Sequence, residues 1–213
     1  MNDLDAVHRR PGMSIGDTTD GSGLHPMIDE LVDNAINEAL AGHCDRLGVA
    51  LNAGGSVTVR DNGRGVPTDV HPVEGLSVPE VIMTRLHSVS LFKKNAQQRS
   101  GLLQGVGVAV VNALSEVIEL RIWREGKEHF IRFRVGRPEA PLTIVGNADM
   151  PDRKPHRGTE ITFLPSAKFF TNTEFDFARI EHRLRGLASL NASVTIVLTD
   201  NRGVQKQEIV LRI

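Results

Sequence analysis

Between His25 and Ala41 the sequence commits to an amphipathic helix. Ile28, Leu31, Val32, Ala35 and Ala39 recur at steps of three and four residues, which gathers them into one buried stripe. At about 100° per residue the opposite side carries Glu30, Asn34, Asn37 and Glu38. Glu30, Asn34 and Glu38 stand four apart, so their side chains line up along the helix axis. Such a stripe has two readings, a solvated face or a row of chemical groups turned toward a site. The apolar stripe must cover a second layer, and the rest of the chain supplies strands for it.

Residues 1–24 are polar and turn-rich and read as a short helical start followed by a loop. After the helix, Arg46–Leu51 and Ser56–Asp61 are β-type runs separated by Asn52-Ala53-Gly54-Gly55, a hairpin pattern. The second run ends in Asp61-Asn62-Gly63-Arg64-Gly65-Val66-Pro67, a turn that needs glycine dihedrals and then stiffens at proline. Ser77–Leu86 reads as a helix with Pro79 in its first turn. Ser88–Ser100 has four basic residues and no periodicity, which predicts a mobile loop. Gly101-Leu102-Leu103-Gln104-Gly105-Val106-Gly107 then opens onto the apolar run Val108–Leu114, a glycine-rich loop feeding a buried helix. Val117–Arg124 and Glu128–Val135 form a second hairpin, Leu142–Val145 a strand, and Gly158–Phe163 a strand entered through glycine. Glu174–Leu190 is an amphipathic helix with Phe175, Ile180, Leu184 and Leu187 on its core side, and Ser193–Leu198 with Val204–Ile213 makes a terminal hairpin. Adjacent hairpins exclude a purely parallel sheet. The expected fold class is α+β: a two-layer sandwich with a mixed, mostly antiparallel sheet covered on one face by helices.

Composition narrows the function classes. Of 213 residues, 40% are apolar and 24% charged, which places the chain among ordinary globular proteins of one domain or two. A net charge of −1 gives no basic field of the kind that binds nucleic acid. Cys44 is the single cysteine, so no internal disulfide can form, and the eight histidines show no metal-ligand spacing. No apolar run approaches ~18 residues and no signal peptide is visible, so a cytoplasmic protein without membrane contact is expected.

The order of motifs is more specific than any one of them. Asp61-Asn62-Gly63 alone reads as a turn, and Gly105-Val106-Gly107 alone as packing glycines. Together with Arg10-Pro11-Gly12-Met13, Leu31 to His43, Asp61 to Gly65, Gly105 to Ser115 and the Gly158-Thr159 strand entry, they resemble the GHKL, or Bergerat-fold, ATPase family. Within it the chain is most similar to the N-terminal ATPase domain of type II topoisomerase B subunits, those of DNA gyrase and topoisomerase IV. The resemblance covers almost the whole chain, in order.

That resemblance implies ATP and Mg²⁺ as ligands and a role for each motif. Glu30 would be the catalytic general base that deprotonates the attacking water, and Asn34 the Mg²⁺ ligand. Asp61 would accept a hydrogen bond from the adenine 6-amino group, with Gly63 and Gly65 letting the backbone approach the base. Thr159 would support that aspartate. Gly101, Gly105, Val106 and Gly107 would turn backbone N–H groups toward phosphate. Glu38 and Arg64 resemble an ion pair flanking the pocket, and Pro67 and Arg124 its rim, where aminocoumarin-type inhibitors also bind.

Departures from the family pattern gather in the ATP lid, about residues 88–104. Leu91 stands where the family has a phosphate-contacting lysine, Leu102 where it has a glycine, and Gln104 where it has a histidine. Asn37 replaces an aspartate and Ser14 a tyrosine. Residues 1–213 are expected to form one GHKL domain, without the transducer and DNA-cleavage domains that follow in the family. The fragment would be a monomer and a slow ATPase; in the full-length protein a second B subunit, the A subunit and DNA would be its partners. Two functions stay open: the nucleotide-driven clamp domain of a type II topoisomerase, coupling ATP to DNA supercoiling or decatenation, or a non-catalytic GHKL module that binds nucleotide or a protein partner.

Overall fold

A computed structural model describes residues 3–86, 107–148 and 156–212. The N-terminal segment forms α1 (Asp3–Arg9), α2 (Gly12–Ile15) and a 3₁₀ turn at Ser22–Leu24 that runs directly into α3 (His25–Leu40). The hairpin β1 (Arg46–Leu51) and β2 (Val57–Asp61) follows, then α4 (Val78–Thr84) and α5 (Val108–Leu114). Strands β3 (Ser115–Arg124), β4 (Lys127–Arg134), β5 (Arg137–Pro138), β6 (Thr143–Asn147) and β7 (Gly158–Pro165) precede α6 (Phe177–Leu190) and the closing hairpin β8 (Thr195–Asp200) and β9 (Gln207–Leu211).

One mixed sheet results, in the order β5-β4-β3-β7-β2-β1-β8-β9, with β6 also paired to β4. β1 and β8 run parallel, and the other pairings are antiparallel. The parallel pair needs a long crossover and the hairpins do not, which is why a mixed sheet was readable from the strand spacing. Period-two alternation decides which face is covered. Leu47, Val49, Leu51, Val57, Val59, Ile118, Leu120, Ile122, Phe163, Ile196 and Leu198 point to the helices and are buried. Met27, Ile28, Leu31, Val32 and Ala35 of α3 and Ile180, Leu184 and Leu187 of α6 meet them in the same core. The other face is polar. Arg121 pairs with Glu128 at 2.6 Å, Arg60 with Glu160 at 3.6 Å, and Thr58 with the Thr162 hydroxyl at 2.8 Å. The expected α+β two-layer arrangement is therefore the observed one.

Three boundaries differ from the sequence reading, each for a local reason. α6 begins at Phe177 rather than Glu174, because Asp176 is extended and its carboxylate accepts the Arg179 N–H at 3.1 Å as an N-cap. Phe175 is still buried, but from the segment before the helix, its ring edge-on to Phe163 at 6.0 Å. β3 starts at Ser115 because α5 passes straight into it, with an irregular register between Ser115 and Val117. The two-residue strand β5 gave no sequence signal, being too short for alternation.

Candidate functional site

Asp61 closes β2 and, two residues after buried Val59, lies on the helix side of the sheet. Its carboxylate accepts the Gly63 N–H at 2.7 Å, and the Thr159 N–H of β7 also acts on it. Burial outweighs both donors and pushes the Asp61 carboxyl up to about 6. The turn that follows is fixed from several sides. The Asn62 amide oxygen accepts the N–H groups of Asp45 and Arg46 at 3.1 and 3.0 Å, and its NH₂ donates to the Asp45 carboxylate at 2.6 Å. The Thr159 hydroxyl accepts the Val66 N–H at 3.3 Å, and Arg124 donates to the Gly65 carbonyl at 2.8 Å. Pro67 follows on the exposed rim.

Two glycines here have a steric reason. A Cβ at Gly65 would lie 2.9 Å from the Trp123 carbonyl oxygen, with φ at +74°. A Cβ at Gly158 would lie 2.0 Å from the Asp61 carbonyl oxygen, with φ at +126°. Gly158→Ala is therefore expected to cost about 3 kcal/mol or more, because backbone at β2 must yield and the dihedral is strained as well. Denaturant unfolding checks this; a cost under about 1 kcal/mol would mean that β2 and β7 can separate there freely.

The polar stripe of α3 faces this turn at one end and α5 at the other. Near its C-terminal end, Glu38 takes a forked contact from Arg64, with Nε at 3.1 Å and Nη2 at 2.8 Å. That hydrogen bond to Arg64 is the main cause holding the Glu38 carboxyl below its usual range. With 53% of the Arg64 side chain exposed, the pair contributes little stability and acts chiefly to place Arg64 and the adjacent turn. Two turns earlier Glu30 is largely buried, and that burial raises its carboxyl; the Gly107 N–H and the Asn34 side chain, both donating to it, work in the other direction. Gly107 caps α5 with a positive φ of 82°. Eight residues separate Glu30 from Glu38, about 12 Å at about 1.5 Å per residue. One end of the stripe thus meets Gly107 and the other meets the Gly63–Arg64 turn beside Asp61.

Sequence reasoning grouped Glu30, Asn34, Glu38, Asp61, Gly63, Gly65, Arg64, Gly107, Arg124 and Thr159, and the structure brings them together along this stripe. Gly101, Gly105 and Val106, with the lid substitutions Leu91, Leu102 and Gln104, lie outside the described residues. Among the described residues no three His, Cys, Asp or Glu side chains gather as a metal site, and no helix is long and apolar enough to cross a membrane.

Residues 19–168 match the family described as histidine kinase-, DNA gyrase B-, and HSP90-like ATPase. The chain belongs to this ATPase family. The DNA gyrase B subunit of Rickettsia bellii (strain RML369-C) is 58% identical over 209 residues, a match that takes in 98% of this chain and 25% of that protein. The DNA gyrase B subunit of Caulobacter vibrioides (strain NA1000 / CB15N) is 53% identical over 213 residues, covering 98% of this chain and 26% of that protein. The chain thus spans about a quarter of the length of these relatives. The 43K ATPase domain of Thermus thermophilus gyrase B, solved in complex with an aminocoumarin, superposes with a TM-score of 0.84 at 40% identity, over 99% of this chain and 52% of that one. The gyrase-type ATPase fold is accordingly the fold of this chain. Asn62 is the site-shaping residue whose part the sequence did not disclose. In sequence it is a turn residue, and its bonds to Asp45 and Arg46 span 17 and 16 positions.

Proposed function

We propose that the chain is the ATP-binding and ATP-hydrolysing domain of a bacterial type II DNA topoisomerase B subunit, in which ATP drives supercoiling or decatenation. The observation that carries this reading is the α3 stripe, which reaches from a buried base-like carboxylate, Glu30, to the turn holding Asp61. A nucleoside triphosphate laid along it would put its adenine at Asp61 and its phosphates at Gly107. Asp61 accepts from the adenine amino group, while Thr159 and Arg124 hold the Val66 and Gly65 backbone at the edge of the base pocket. Glu30, raised by burial but still within reach of ionisation at neutral pH, takes the proton of the attacking water.

Mg²⁺ fits the donors present. A carboxylate only accepts, so the Asn34 NH₂ faces Glu30 and leaves the amide oxygen for a hard cation. With no acidic cluster among the described residues, one protein oxygen plus phosphate oxygens and water would complete the shell. When bound, the ion neutralises phosphate charge. The Thermus thermophilus complex supports aminocoumarin binding at the rim formed by Arg124 and Pro67. A second B subunit, the A subunit and DNA are the partners this reading supplies for the full-length protein, with the cytoplasm as its place.

Calorimetric titration with a non-hydrolysable ATP analogue, with and without Mg²⁺, tests the reading. One saturable site that tightens when Mg²⁺ is added is expected. No binding at millimolar analogue in either condition would overturn it.

A further inference from the structure

Helix α5 reads Val108-Ala109-Val110-Val111-Asn112-Ala113-Leu114, apolar except for one amide. Asn112 is completely buried, at 0% exposure. Its NH₂ donates to the Met83 carbonyl at 2.8 Å, in the last turn of α4. Carbonyls there have no partner within their own helix, so Asn112 satisfies a C-terminal acceptor of α4 from across the helix–helix contact. Its Oδ1 is buried and finds no partner among the described residues. A leucine of similar shape would remove that unmatched oxygen, so packing alone does not call for an amide here.

What the amide secures is the setting of α5. α5 packs against α1, α3 and α4. At its C-terminal end the Ala113 carbonyl meets His8 Nε2 at 2.9 Å, and the Ser115 hydroxyl donates to the Val111 carbonyl at 2.7 Å. At its other end is Gly107, whose N–H reaches the Glu30 carboxylate. Apolar contacts let a two-turn helix slide or rotate by fractions of an ångström, whereas a directional hydrogen bond weakens steeply with such movement.

We propose that Asn112 is a positioning residue for the reacting end of the site, tying α5 to α4 so that the Gly107 N–H stays aimed at Glu30. This rests on the ATPase reading for its consequence in hydrolysis, but not for its geometry. The charged group acting on Glu30 is Asp33 of its own helix, itself paired with Arg183 of α6 at 3.2 Å; α5 brings no charge. A change confined to α5 therefore reaches Glu30 through the Gly107 donor.

The test is Asn112→Leu in the 213-residue chain, with side-chain carboxyl titration of Glu30 followed by NMR. Loss of the donor is expected to move the Glu30 midpoint up by about 0.5 pH unit or more, with Glu38 unmoved as the internal control. The midpoint of thermal unfolding should stay within about 3 °C of the parent, and single-turnover ATP hydrolysis should fall about tenfold. A folded variant with an unmoved Glu30 midpoint would overturn the proposal and leave the ATPase reading standing. A variant that does not fold would also overturn it, since Asn112 would then serve the fold and not the aim of Gly107. Failure of the parent to bind the ATP analogue would instead remove the ATPase reading, while the titration would still decide the role of Asn112.

Discussion

Asp61→Asn is expected to weaken adenine-nucleotide binding by about 10- to 150-fold while making the chain more stable. The loss of affinity follows from replacing a charge-assisted acceptor by an amide, at about 1.5–3 kcal/mol. The gain in stability follows from burial. The Asp61 carboxyl rises from 3.8 to about 6, so between about pH 4 and pH 6 the folded chain keeps a proton that the unfolded chain has released. The group's favourable contribution is complete below about pH 4 and is lost as pH rises through about 6. At neutral pH the buried charge therefore costs on the order of 3 kcal/mol, from a shift of about two units at about 1.4 kcal/mol each. Asparagine can still accept the Gly63 N–H and carries no charge, so the midpoint of unfolding should rise by about 5–10 °C at pH 7. Asp61→Ala, which leaves the Gly63 and Thr159 donors unmatched, should lose affinity without that gain. In the parent, affinity should decline as pH drops below about 6, and the Asn variant should lack this dependence. Calorimetry across pH 5–8 with thermal scans checks all three; an Asn variant that binds like the parent would take Asp61 out of the site.

Glu30→Gln should slow hydrolysis by roughly 10²- to 10⁴-fold and leave nucleotide binding nearly intact. Glutamine keeps the length and the acceptor oxygen, so the Gly107 N–H retains a partner, and only basicity is removed. Desolvation already lifts the Glu30 carboxyl, which brings a base closer to the working pH without neutralising it. Single-turnover assays with the chain in excess over ATP read slow rates directly. Equal rates in parent and variant would show that water is activated by another group, and that the α3 stripe serves binding alone. The two variants divide the proposed site: Asp61 governs affinity at the adenine end, Glu30 governs rate at the phosphate end, and each leaves the other's measurement largely unchanged.

Much of this arrangement was legible because its signals are local. The His25–Ala41 periodicity gave α3 to within a residue of its observed end at Leu40, and placed Glu30, Asn34 and Glu38 on one line. Asp61-Asn62-Gly63 sits at the end of an alternating run, so both the strand and the turn were readable from neighbouring residues. Ser77 before Val78-Pro79-Glu80 marked the start of α4, and its hydroxyl does accept the Glu80 N–H at 3.4 Å.

Periodicity, turn residues and caps lie within a chain segment, and they were enough to specify the helices, the hairpins, the covered face of the sheet and the residue types available to a site. Properties that depend on groups far apart in the chain came only with packing. The Asp61 carboxyl is raised by the layer that buries it, not by its neighbours in sequence. Gly158 must be glycine because β7 brings it against the Asp61 carbonyl, almost a hundred positions away. Asn62 reads as a turn residue until β1 is beside it, and Asn112 as an oddity in an apolar helix until Met83 meets it. Desolvation and hydrogen-bond direction belong to assembled surroundings, and those surroundings exist only once the two layers have packed.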